Sequence, residues 1–151
     1  QNAPAMMGGS GNPEPLPAEQ AERMKEQIDL AGTLVDYAAK GHTVELLGKE
    51  DLEGTEVYKL KINKKTGDTE YQFIDAGSYL VIKTESITKL NGQETKSSQL
   101  LSNYKDVSGL KFPFTIEQDN PMMGGASSVN FTTILINVPV DESTFKMPAK
   151  K

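Results

Sequence analysis

The chain has 151 residues and a formal net charge of −5, and 36% of its residues are hydrophobic. This length allows one domain with a core of its own. The absence of cysteine excludes a disulfide framework, a thiol nucleophile and a thiolate zinc site. The acidic balance and the single arginine, Arg23, argue against nucleic-acid binding. No apolar run reaches the ~20 residues of a transmembrane segment.

Residues 1–17 are rich in proline and glycine, a composition that suits neither helix nor strand, and they are interpreted as a flexible arm. The remaining residues, 18–151, are predicted to form one domain. The chain begins with glutamine instead of methionine, so we expect that a signal peptide has already been removed.

Two short helices are predicted within residues 18–40. Apolar side chains recur at helical spacing from 18 to 28 among charged residues, which indicates an amphipathic helix. Thr33, followed three residues later by Asp36, resembles a capping box and predicts a second helix. Gly41 provides a left-handed stop for it.

From residue 43 onward the hydrophobic period changes from 3.6 to 2 and β-formers become common, which predicts strands. The predicted strands span 43–47, 55–62, 69–75, 79–90, 93–103, 111–118 and 127–138. Short turns, such as those at 64–67 and 91–92, favour an antiparallel meander in sequence order. The expected fold class is α+β, with two short helices before a sheet at about 43–138 and a tail at 139–151.

Alternation predicts that one face of this sheet is apolar and the other largely solvated. Tyr58, Leu60 and Ile62 share one side of their strand, while Val57 and Lys59 share the other. Two short helices would cover seven strands only partly. We therefore expect apolar surface to remain for a ligand or a partner.

The candidates for catalysis are weak. His42 is the one imidazole, so a Ser-His-Asp relay would have to use it, but a surface histidine beside the predicted helix end is favoured. The acidic residues at 50–53 lack the spacing of a calcium loop and suit a solvated turn. We expect no enzyme activity, no metal and no cofactor.

Two loops place paired methionines beside paired glycines, at Met6 and Met7 and at Met122 and Met123. Thioether side chains adapt to irregular apolar partners, so these loops can form the lip of a hydrophobic site. The alternative is that they are loop tips with no binding role.

Several segments, taken in their order along the chain, resemble the outer-membrane lipoprotein-sorting proteins with a LolA-like fold. They are LEGTEVYKLK at 52–61, IDA at 74–76, YLVIKTE at 79–85, YKDVSGLKFPFTIEQ at 104–118 and INVPVDESTFKMP at 136–148. The resemblance covers about 15–148. It implies a periplasmic protein with a curved antiparallel sheet, an incomplete half-barrel around helices, that binds acyl chains or another hydrophobic ligand on its concave side.

Members of that family carry further residues before the part that this chain resembles, so it corresponds to their C-terminal portion. Arg23 does not match the arginine that locks the lid in the better-known branch, and no gating residue is transferred. A shortened half-barrel would also expose a strand edge near 43–47.

The resulting hypothesis is non-enzymatic binding of a lipidated protein or another acyl-chain ligand in the cell envelope. The candidate ligand-binding residues are Tyr58, Leu60, Ile62, Tyr71, Phe73, Leu80, Ile82, Phe112, Phe114, Ile116, Met122 and Met123. The alternative is a protein-interaction module that uses the apolar face or an open strand edge, with self-association or an envelope protein as its partner.

Overall fold

In the computed structural model of the chain, the described residues are 28–29, 31–90, 93–121 and 124–141. They form one seven-stranded antiparallel sheet whose strand order is the sequence order. The strands are β1 (Thr43–Leu52), β2 (Thr55–Asn63), β3 (Thr69–Asp75), β4 (Val81–Leu90), β5 (Gln93–Val107), β6 (Leu110–Asn120) and β7 (Gly125–Asn130). This confirms the predicted antiparallel meander.

The predicted α+β class with two helices is wrong, because the described residues contain no helix. Residues 31–41 form turns. Asp36 has a φ of 53°, a left-handed conformation that interrupts a right-handed helix. The hydroxyl of Thr33, expected to cap a helix, instead donates to Glu70 Oε1 at 3.1 Å. Residues 1–27, which include the arm and most of the first predicted helix, lie outside the described residues.

Two hairpins contain turns of the same type, and their strands extend further than the sequence analysis predicts. The turns follow the pattern Asp-x-x-Gly at 51–54 and at 106–109. In each, the last two residues have positive φ, 51° and 88° in the first and 56° and 86° in the second, as a two-residue hairpin turn requires. The aspartate carboxylate accepts the glycine N–H at 2.9 Å in both. These turns join β1 to β2 and β5 to β6.

The last strand is shorter than predicted. It was expected to span 127–138, but β7 ends at Asn130. The Phe131 N–H still donates to the Phe114 carbonyl at 2.8 Å, and the chain then continues through bends to residue 141. Residues 142–151 of the predicted tail lie outside the described part.

The register between β2 and β3 defines the two faces of the sheet. Their loop, residues 64–68, is one residue longer than the predicted turn, and it pairs Asn63 with Thr69 and Leu60 with Gln72. Directly paired residues of antiparallel strands point to the same side. We call the side that carries Leu60 and Gln72 the Gln72 face, and the other side the Phe73 face.

The hydrophobic core is small and lies on both sides of the sheet. The buried apolar residues among those described are Val57, Ile62, Phe73 and Phe114. Phe73 is covered by lysine side chains, with the ammonium groups of Lys59 and Lys83 at 4.8 and 5.2 Å from its ring centroid. Within the described ranges the sheet has no second layer against it, and a single layer buries few side chains completely.

Candidate functional site

A continuous polar surface crosses the middle of the Gln72 face. One cross-strand row runs from Gln72 through Thr84 and Gln99 to Gln118. A second row runs from Glu70 through Ser86 to Ser97. We call these seven residues the polar band. Together with Lys64 and Asn120, most of them line a groove of about 310 Å³.

Glu70 forms the centre of a buried polar cluster at one end of this band. Lys64 Nζ lies 2.6 Å from Glu70 Oε2. Gln72 Nε2 donates to Glu70 Oε1 at 2.7 Å and to Thr33 Oγ1 at 3.0 Å. The cluster ties residues 31–41 to the sheet through Thr33. Gln72 is 8% exposed, and its Oε1 has no hydrogen-bond partner among the described residues.

The environment of Glu70 lowers the pKa of its carboxyl group. Burial alone would raise this pKa, but the ion pair with Lys64 and the hydrogen bonds from Gln72 and Thr33 outweigh it. A group whose folded pKa lies below its unfolded value stabilises the folded state above the unfolded pKa, and this contribution is lost as the pH falls through the folded pKa.

We therefore expect acid to destabilise the native chain more than a Glu70→Gln variant. The free energy of unfolding in urea, measured from pH 7 to pH 3, should fall faster for the native chain below about pH 4.5, the ordinary value for this carboxyl group. The paired measurement matters because the pKa values of Asp29 and Asp75 are also lowered, and both remain in the variant. Parallel curves would mean that Glu70 makes no pH-dependent contribution.

Apolar side chains flank the polar band on both sides of the same face. One flank lies on β1 and β2, where Leu46 pairs with Leu60 and Val44 pairs with Ile62. The other lies on β5 to β7 and contains Leu101, Phe112, Phe114, Ile116 and Val129. Parts of both flanks are open to solvent, since Leu46 is 60% exposed and Val129 is 42% exposed. The Gln72 face is therefore amphipathic, with a polar centre between two apolar regions.

The structure divides the sequence-predicted ligand-binding residues between the two faces. Tyr58, Leu60 and Ile62 lie on the Gln72 face of β2, and Phe112, Phe114 and Ile116 lie on the same face of β6. Tyr71 and Phe73 pair with Lys61 and Lys59 and therefore lie on the Phe73 face. They do not line one surface with the other six.

The remaining candidates lie near a bulge or outside the described residues. Leu80 precedes β4, and Ile82 lies where the register between β3 and β4 shifts. Met122 and Met123 are outside the described part of the chain. Ligand binding by all twelve residues stays a prediction.

The sequence analysis did not predict the polar band, although the sequence contains a signal for it. In β3, Glu70 and Gln72 alternate with Tyr71 and Phe73, so the polar and the aromatic residues must point to opposite sides. β4 and β5 contain many serines and threonines and no phenylalanine. The strands in the middle of the sheet therefore contribute little apolar surface to the Gln72 face.

His42 is buried, with 7% of its surface exposed, and is not the surface histidine that was expected. Its Nδ1 accepts the Lys65 N–H at 3.1 Å, and its backbone N–H donates to the Tyr37 carbonyl at 2.8 Å. The side chain and the backbone of His42 together thus join the N-terminal turns to the β2–β3 loop. No cluster of three or more metal-ligating residues occurs in the described ranges. The same part of the chain includes no helix that is long and apolar enough to cross a membrane.

Solved structures share this fold at low sequence identity. A DUF1329 family protein from Desulfovibrio piger matches 70% of the chain with a TM-score of 0.57 and 15% identity. A domain described as an outer membrane lipoprotein-sorting protein, from Vibrio parahaemolyticus, matches 69% with a TM-score of 0.54 and 19% identity. A LolA superfamily protein from Nitrosomonas europaea matches 70% with a TM-score of 0.51 and 16% identity.

The chain spans less than half the length of each of these structures, covering 45%, 46% and 49% of them. None of the curated proteins compared with the chain matches it. A family model matches residues 31–149 and is described as "-like: Uncharacterized protein". The match covers more than half of the chain and includes every strand of the sheet. The chain therefore belongs to the family of that model, and its fold is similar to the folds of the three solved structures.

Proposed function

We propose that the protein is a non-enzymatic carrier that binds the acyl chains of a lipid or lipoprotein in the periplasm. The observation that carries the proposal is the partly exposed apolar surface on the Gln72 face, where Leu46 and Val129 remain open to solvent. Burial of such surface gains roughly 25 cal/mol per Å² and requires no specific polar partner, which suits acyl chains. The lipoprotein-sorting description of the Vibrio domain supports the same proposal.

A matched pair of leucine variants tests this proposal. Leu46→Ser removes an exposed apolar side chain from the Gln72 face, and Leu100→Ser removes one from the Phe73 face, where Leu100 pairs with Lys83. The two leucines are 60% and 39% exposed, so neither change opens a core. We expect Leu46→Ser to weaken the binding of a fluorescent fatty-acid probe about fivefold, since the lost burial is on the order of 1 kcal/mol.

Leu100→Ser should leave the affinity for the probe unchanged, and both variants should unfold at the native urea midpoint. A larger loss of probe affinity in Leu100→Ser than in Leu46→Ser would indicate that the ligand binds on the Phe73 face. Failure of the native chain to bind the probe, together with no lipid in the native mass spectrum of gently purified protein, would refute the carrier function.

A protein-interaction module is the second candidate, and the edge of the sheet favours it. β1 is a ten-residue strand, and among the described residues it pairs with β2 on one side and with no strand on the other. Leu46 and Leu47 are both exposed beside the bulge that precedes Gly48. Strand addition at such an edge is a common mode of recognition. A concentration-dependent mass in light scattering, without bound lipid, would support this candidate instead.

A further inference from the structure

We infer that the polar band binds the uncharged, hydroxyl-rich headgroup of an amphipathic lipid, such as a glycosylated diacylglycerol. This inference rests on the proposed function, because the apolar flanks would take the acyl chains while the band takes the headgroup. It names the chemical class of ligand that the acyl-chain proposal leaves open.

The side chains of the band match the chemistry of sugar hydroxyls. Hydroxyl and carboxamide groups both donate and accept hydrogen bonds, as sugar hydroxyls do. Thr84, Gln99 and Gln118 make no side-chain hydrogen bonds to other residues in the described part of the chain. All three residues line the groove, so a ligand hydroxyl placed there can both donate to them and accept from them.

The charge of the groove favours an uncharged headgroup over a phosphate. Among the described residues that line it, the charged ones are Lys64 and Glu70, and they form an ion pair at 2.6 Å. The pair is close to neutral as a unit, so a phosphate would find no unpaired cation there. Desolvation of an anion without a charged partner is unfavourable.

The positions of the two kinds of surface allow one ligand to contact both. The polar band crosses β3 to β6, which is three strand spacings or about 14 Å. Leu60 is the direct cross-strand neighbour of Gln72 at one end. Ile116 lies two residues from Gln118 on the same strand at the other end. A lipid headgroup on the band therefore lies next to apolar surface on either side.

The test compares three fluorescent lipids with identical acyl chains: galactosyl diacylglycerol, diacylglycerol and phosphatidate. We expect the native chain to bind the galactosyl lipid about tenfold more tightly than diacylglycerol, because several hydrogen bonds form to groups that are partly or largely exposed. The double variant Gln99→Leu with Gln118→Leu should reduce this affinity ratio to about one. Gln93→Leu, a change of the same kind at an exposed position outside the groove, should keep the native ratio.

The possible results distinguish failure of the headgroup site from failure of the proposed carrier function. Equal affinity of the native chain for galactosyl lipid and diacylglycerol would overturn the headgroup site and leave acyl-chain binding intact. Tightest binding of phosphatidate would overturn the uncharged class. Binding of none of the three lipids would refute the proposed function itself.

A further variant is needed if the Gln99→Leu and Gln118→Leu substitutions together impair folding. Thr84→Val preserves the shape of the side chain and removes one hydroxyl from the band. We expect it to lower the affinity ratio severalfold while far-UV circular dichroism stays native. An unchanged ratio in a folded Thr84→Val protein would place the headgroup elsewhere.

Discussion

Replacing Phe73 by alanine is expected to destabilise the protein by about 3 kcal/mol, as measured by urea unfolding. Phe73 is 2% exposed, and truncation of a buried phenylalanine typically costs about 3–5 kcal/mol through lost burial and the cavity left behind. The lower end of this range applies because the cover over the ring is provided in part by Lys59 and Lys83. Flexible lysine stems can move into part of the space that the ring leaves.

The same substitution at a more exposed phenylalanine provides the control. Phe131 follows β7 and is 40% exposed, so Phe131→Ala should cost less than about 1 kcal/mol. If Phe73→Ala and Phe131→Ala lower the free energy of unfolding by equal and small amounts, the Phe73 face of the sheet contributes little to the core. The urea dependence of the unfolding free energy should stay the same in both variants, which confirms that only stability has changed.

The strands and their order could be predicted from the sequence because both depend on local signals. Period-2 alternation and frequent β-branched residues mark the strands from Thr43 onward, and short connections leave antiparallel neighbours as the sole arrangement. The ends of the strands were less predictable. The turn at 106–109 uses Ser108 in a left-handed conformation, with a φ of 56°, and serine is a weaker turn signal than the preferred Asn-Gly or Asp-Gly pairs.

The sequence analysis did not predict correctly which residues of β3 share a face with Leu60, because this depends on the exact length of the β2–β3 loop. A four-residue turn at 64–67 would pair residue 63 with residue 68, and it would place Tyr71 opposite Leu60. The observed loop includes Asp68 and pairs Leu60 with Gln72. A shift of one residue moves every side chain of a strand to the other face. The aromatic residues of β3 therefore lie away from the predicted site, and its polar residues lie in it.

The second predicted helix failed because a tertiary contact competes with the local cap. Thr33 and Asp36 have the spacing of a helix start, but the Thr33 hydroxyl contacts the Glu70 and Gln72 cluster. Capping contributes on the order of 1 kcal/mol, whereas hydrogen bonds to a buried charged group contribute roughly 1.5–3 kcal/mol. The partners of Thr33 are 37 and 39 residues away in sequence, so no local pattern reveals them.

Replacing Glu70 by alanine is expected to cost about 3 kcal/mol at pH 7. The change leaves the Lys64 ammonium without its partner at a site where the lysine side chain is only 17% exposed. It also removes the acceptor of hydrogen bonds from Gln72 and Thr33. Removal of one member of a buried ion pair is much more costly than loss of a surface pair, because the remaining charge stays partly desolvated. Urea unfolding at pH 7 measures this loss.

Removing both charges together should lower the free energy of unfolding less than removing one of them. In a Lys64→Met and Glu70→Leu double variant, apolar side chains of similar size replace the pair, and such replacements are often neutral in other proteins. We expect this variant to recover at least half of the stability lost in Glu70→Ala. The Gln72 and Thr33 donors still lose their acceptor, so full recovery is not expected. If Glu70→Ala costs less than about 1 kcal/mol, the cluster behaves as a screened surface pair and does not anchor residues 31–41 to the sheet.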